Sequence, residues 1–400
     1  MLFSVAEAIG RTKSSLSKVV LAYAYMGVHN YPLLMAEKAC ALSSKMLARI
    51  YPAAEDGLRS KLAIRQLRAH ALQNMGRTGL ALKEMLEIEA AIIENKTHWP
   101  ELCFDLFDRL QEFYRKSNHA ELCHFYGRRA KRSVDSAADE RLRTSHLITH
   151  SLVHLYLNER EARRYARQAF EAAKTSRIER LITYTRLTRL IVDALYAKND
   201  VTVLRNIADE ARRLLREAAL ANLADSIMRL ELLLGTLALT CYEDSQDRHL
   251  RARSYVSSGQ ANSVRFGNGL FDWAFDNLAA VIDLEDKSKN DEDVRARFRS
   301  SFEKLRQRGL TFVGAGSGLY PSPFAISNIV RFYGQFRESD AVQLLRSTIS
   351  AYDNRFLEDD KALRELVTKA SDGKAIFWPS KRQIPGLRYP QDNGYFTPIF

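Results

Sequence analysis

Residues 181–218 read LITYTRLTRLIVDALYAKNDVTVLRNIADEARRLLREA. Two apolar stripes run through this stretch. Leu181, Tyr184, Leu187, Ile191, Ala194 and Leu195 form the first, and Leu204, Ile207, Ala211, Leu214 and Ala218 form the second. Steps of three, four and seven place each set on one face of an α-helix. Between them lies Ala197-Lys198-Asn199-Asp200, which leaves room only for a tight reversal. The stretch predicts two antiparallel helices joined as an αα-hairpin.

The same pattern recurs on both sides. Leu67, Ala71 and Met75 lead into Gly76-Arg77-Thr78-Gly79, and Ala81, Met85, Ile88 and Ile92 follow. Leu152, Leu155 and Tyr156 lead into Asn158-Glu159, and Ala162, Tyr165, Ala169 and Ala173 follow. Polar breaks fall near Gly76, Asn118, Asn158, Asn199, Ser245, Ser288 and Arg337. A single hairpin cannot bury both of its faces, whereas stacked hairpins can. The expectation is therefore about seven or eight hairpins of ~43 residues over residues 14–372. Ala81, Ala162 and Ala208 recur early in the second helices, where a small side chain lets two helices approach closely.

Composition agrees with an all-α chain. The 400 residues include only 18 Gly and 9 Pro, 46% are hydrophobic and 27% are charged. Those proportions exclude collagen-like and low-complexity scaffolds and argue against wholesale disorder. The most apolar region, residues 218–242, is interrupted by Asp225, Arg229 and Glu231, so no membrane span is expected. Arg11, Lys13 and Lys18 precede an apolar run at 19–28, but no small-x-small site follows, so a removed leader is not expected. Cys40, Cys103, Cys123 and Cys241 are far apart. No disulfide framework is predicted, and a reducing, cytoplasmic compartment is.

The stretch Leu67–Ile88 resembles a degenerate tetratricopeptide repeat. Gly76 matches the turn glycine of that family, and Ala81 matches its small second-helix position. The family's Trp and closing Pro are missing and the helices are longer. The resemblance implies a superhelix whose inner surface binds proteins or peptides. Residues 1–373 are then one repeat domain, with a hinge near 310–323 at Gly314-Ala315-Gly316-Ser317-Gly318. That glycine run follows Leu310-Thr311-Phe312-Val313 as a phosphate loop would, but Leu319, Pro321 and Pro323 break the dinucleotide pattern. Residues 374–400 hold Pro379, Pro385, Pro390 and Pro398 among many aromatics, which predicts an extended tail packed back on the last hairpin.

The basic segment carries the functional expectation. Residues 109–216 hold 23 Lys and Arg against 13 Asp and Glu, in a chain whose formal net charge is +12. Arg160, Arg163, Arg164 and Arg167 share one helical face, Arg177 and Arg180 lie on the next helix, and Arg205, Arg212 and Arg216 on the one after. Arginine makes bidentate contacts with carboxylate and phosphate. These residues predict an acidic protein partner or, as the alternative, a nucleic-acid backbone. Residues 4–20 resemble a helix-turn-helix through Ala6, Gly10, Leu16 and Val19, with an ordinary first hairpin as the competing reading.

No Walker loop, GxSxG or nucleophile–base spacing occurs, so no enzyme and no cofactor are expected. The i, i+4 pair His146 and His150 has the spacing to chelate one metal ion, and His154 continues the row. His119, Cys123 and His124 form a second such cluster. Without HExxH or a nearby second cysteine, no metal is expected. The row at 146–154 is read instead as hydrogen-bonded histidines along a seam between helices.

Overall fold

The computed structural model describes residue 41 and residues 55–307, apart from short connections between helices. Residues 4–20, 310–323 and 374–400, the break near Arg337, and Cys40, His119 and Arg177 lie outside the described residues. Among the described residues there are twelve helices and no strand: α1 (Glu55–Asn74), α2 (Thr78–Glu94), α3 (Pro100–Lys116), α4 (Ala120–Ala137), α5 (Glu140–His154), α6 (Glu159–Ser176), α7 (Glu179–Leu195), α8 (Val201–Leu220), α9 (Ala224–Cys241), α10 (Ser245–Phe266), α11 (Asp272–Glu285) and α12 (Asp291–Gln307). The breaks expected near Gly76, Asn118, Asn158, Asn199, Ser245 and Ser288 all fall at the turn between the two helices of a hairpin.

Local chemistry sets the boundaries. Asp200 caps α8, its carboxylate accepting from the Val203 amide at 3.1 Å. Asp139 does the same for α5, accepting from the Arg141 amide at 2.7 Å. Asn290 opens α12 by accepting from the Glu292 amide at 3.0 Å. Pro100 begins α3, where its missing N–H costs nothing. Asn222 takes a left-handed φ of 53° and turns α8 sharply into α9.

Helices pack in consecutive pairs, and the first helices of neighbouring hairpins also meet: α3 with α5, α5 with α7, α7 with α9, and α9 with α11. The second helices approach one another less extensively. The stack therefore curves with its first helices on the inner side. Small residues permit the close pairing. Ala81, Ala162 and Ala208 are all buried, and α6 adds buried Ala166, Ala169 and Ala173. Glycine serves the same purpose between α10 and α11, where a Cβ on Gly259 would fall inside the buried Phe275 ring.

Two apolar clusters form the core. One runs from Leu62 to Leu142 and the other from Ile148 to Phe298. Among the described residues α5 is the helix that contributes to both, with Leu142 in the first and Ile148 and Leu152 in the second. Its middle is polar yet buried, with Thr144, His146, Thr149, His150 and Ser151.

Candidate partner-binding groove

The inner helices carry polar residues on faces that point away from the core. On α3, Asp105, Asp108, Arg109 and Glu112 follow the steps of one helical face. Arg109 donates from Nε to Asp105 at 3.2 Å. Across the layer, the Thr149 hydroxyl of α5 donates to Asp108 Oδ2 at 3.1 Å. On α9, Asp225 and Arg229 pair at 2.7 Å. The Arg229 guanidinium lies 4.8 Å from the Phe271 ring centroid and 5.9 Å from that of Tyr184 on α7. Arg229 is only 4% exposed, which requires such a carboxylate partner.

These groups converge although they are far apart in sequence. Glu112 of α3 acts electrostatically on both Tyr184 of α7 and Arg229 of α9. Burial pushes the Tyr184 hydroxyl up to about 12, with Arg229 and Arg180 opposing and Asp225 and Glu112 adding to the shift. Burial likewise pushes the Asp108 carboxyl up to about 7; Thr149 and Arg109 oppose, and Glu112 and Asp105 add. Asp108 Oδ1 is shielded from solvent and has no hydrogen-bond partner among the described residues. The result is a polar strip along four inner helices, acidic at α3 and mixed at α7 and α9.

The arginines singled out from sequence divide between two surfaces. On α6, Arg160 and Arg167 are exposed. Arg163 is held by Glu159 at 3.1 Å and by Asp193 of α7 at 2.9 Å. Arg164 pairs with Glu161 at 2.5 Å and lies 4.7 Å from the Tyr165 ring centroid. On α8, Arg205 donates to the Cys241 carbonyl at 2.8 Å, Arg212 pairs with Asp209, and Arg216 is exposed. Arg180 sits on the inner helix α7 beside Tyr184 rather than with the α6 and α8 residues. Much of the segment's charge therefore holds hairpins together, and Arg160, Arg167 and Arg216 are left on the second helices.

His146, His150 and His154 line the seam as expected, but they are not satisfied by hydrogen bonds. Their rings lie in a row, His146 and His150 edge to face with centroids 4.2 Å apart and His150 and His154 stacked at 6.3 Å. Phe104 of α3 flanks one end at 6.3 Å and Tyr165 of α6 the other at 5.5 Å. Nδ1 of each ring and Nε2 of His150 are buried without a hydrogen-bond partner among the described residues. No group of three His, Cys, Asp or Glu with metal-binding geometry occurs among the described residues. Cys103, Cys123 and Cys241 are buried and form no disulfide among the described residues. No described helix is long and apolar enough to cross a membrane.

Asp108, Glu112, Tyr184, Asp225 and Arg229 do not stand out in the sequence. The available signal was the interruption of the apolar run 218–242 by Asp225 and Arg229, charges on a helix that is otherwise core.

No family model matches the chain, and no curated protein matches it by sequence. Among solved structures, the chain is similar to a Rap protein crystallised in complex with Competence and Sporulation Factor. The TM-score is 0.54 and the identity 14%, over 90% of this chain and 99% of the other. The likeness establishes the tetratricopeptide-like helical-repeat fold.

Proposed function

We propose that this chain is a non-enzymatic helical-repeat regulator that holds a protein partner in its inner groove. The observation that carries the reading is the convergence of Glu112, Tyr184 and Arg229 from the hairpins that begin with α3, α7 and α9. A core needs no such groups on its inner helices, because each buried charge must be compensated. A groove for a polypeptide does need them, since an extended segment brings its own donors and acceptors. The fold likeness to a Rap protein crystallised in complex with Competence and Sporulation Factor supports the same reading. Arg160, Arg167 and Arg216 then add a contact for an acidic part of the partner on the outer helices.

The test starts from the partner that co-purifies with the native chain. Glu112→Gln and Tyr184→Phe keep side-chain volume and remove one polar contact each. Each is expected to weaken binding roughly tenfold, in line with about 1–1.5 kcal/mol per hydrogen bond. Unchanged affinity for both variants would remove the inner groove from the account. Arg160→Glu, Arg167→Glu and Arg216→Glu together are expected to slow association at low salt if the partner is an acidic protein. A nucleic-acid partner would instead show a salt slope that shrinks by nearly one unit per lost phosphate contact. Exposed charge changes alter stability by less than ~0.5 kcal/mol each, so the fold should persist.

A further inference from the structure

The row of imidazoles on α5 sits where the two apolar clusters of the core divide. Each ring is nearly sealed, with His146 7%, His150 5% and His154 5% exposed. Four of their nitrogens have no hydrogen-bond partner among the described residues, while Ser151 and Thr149 tie α5 to the Ala162 carbonyl of α6 at 2.9 Å and to Asp108 of α3 at 3.1 Å. Positive charge placed there would be buried next to like charge and to aromatic edges. We propose that α5 is a proton-sensitive hinge between the hairpins before it and those after it, opened when the His146–His150–His154 row takes up protons.

The surroundings favour that response. From α4, Lys131 opposes protonation of His146 and His150, and Asp135 partly offsets it at His146. Lys131 and Asp135 pair with each other at 2.7 Å. His124, also on α4, opposes protonation of His150, and is itself held down by burial and by Arg128. From α6, Arg164 opposes protonation of His154, while its own partner Glu161 lies 2.5 Å away. From α3 the row meets the Phe104 ring, and on a neighbouring face of α5 Thr149 meets Asp108. The charges of α7 are engaged elsewhere: Asp193 with Arg163, Arg189 with Glu210, and Arg186 with Glu217.

Burial brings His146 and His154 down to about 4, and drives His150 well below its ordinary value. A folded-state value below the unfolded one means that stability is intact above about pH 6.5 and is lost as pH falls towards 4. Asp108 has the opposite sign: its raised value favours the closed state on acidification, so it cannot be the source of an acid-driven opening. For one ring sealed at about 4 and freed on opening, the opening equilibrium grows up to ~30-fold between pH 7.5 and pH 5.

The experiment is hydrogen exchange of the full chain between pH 7.5 and 5, corrected for intrinsic rates, with histidine ring resonances titrated in parallel. The expected result is accelerated exchange in α5 and α6 on acidification, while α9 and α11 remain protected. Three ring resonances should resist protonation until the seam opens. The triple variant His146→Gln, His150→Gln and His154→Gln should lose the pH response. Rings that titrate near pH 6.5 with no change in α5 exchange would overturn the hinge. So would a folded triple variant that opens on acidification as the parent does. If that variant does not fold, the ring titration of the parent decides.

Discussion

Asp108 shows at the scale of one residue how a groove differs from a core. Its carboxyl is pushed up to about 7 by burial, and one oxygen accepts from Thr149 while the other has no hydrogen-bond partner among the described residues. A raised folded-state value gives stability that is complete below about pH 4 and is lost as pH rises through about 7. Asp108→Asn keeps an acceptor for Thr149 and removes the ionisation. The variant should raise Tm by a few degrees at pH 8 and by less at pH 5, measured by calorimetry across that range. Equal shifts at both pH values would show that the carboxyl is ionised without penalty. Sequence alone could not flag this residue. Asp105, Asp108 and Glu112 read as an ordinary solvated helix face until Thr149 of α5 is seen to meet Asp108, and Tyr184 and Arg229 are seen to feel the charge of Glu112.

The elements themselves were far more legible. Periods of three and four marked α7 and α8 to within three residues of their ends, because apolar burial and helix geometry are both local in sequence. Asp200, the last residue of the expected reversal, caps α8 for the same local reason. What periodicity does not reveal is which helix faces inward, since that depends on contacts between hairpins. The arginines illustrate the cost: Arg163 has the spacing of a surface stripe with Arg160 and Arg167, but Asp193 on α7 holds it. Gly259 illustrates it again. Alone, Gly→Ala in a helix stabilises by about 0.5–1 kcal/mol. Here a Cβ would enter the ring of the fully buried Phe275, so overpacking decides the sign. Gly259→Ala should destabilise the protein by about 1–3 kcal/mol in denaturant melts. A stabilised variant would mean that α10 and α11 are packed more loosely than described.

For the whole molecule, the curved stack places two chemically different surfaces on two layers of helices. The inner layer joins residues from distant hairpins into one polar strip; the outer layer carries Arg160, Arg167 and Arg216. Between the two halves of the core, α5 supplies a polar seam where apolar packing is interrupted. This separation makes the central claim directly accessible, because a partner in the groove and a partner on the outside shield different helices. The decisive measurement is hydrogen exchange of the complex formed with the co-purifying partner, compared with the free chain at one pH and salt concentration. The account predicts new protection in α3, α5, α7 and α9, centred on the segments around Glu112, Thr149, Tyr184 and Arg229. Protection confined to α6 and α8, with the inner helices unchanged, would contradict it and assign binding to the outer arginines instead.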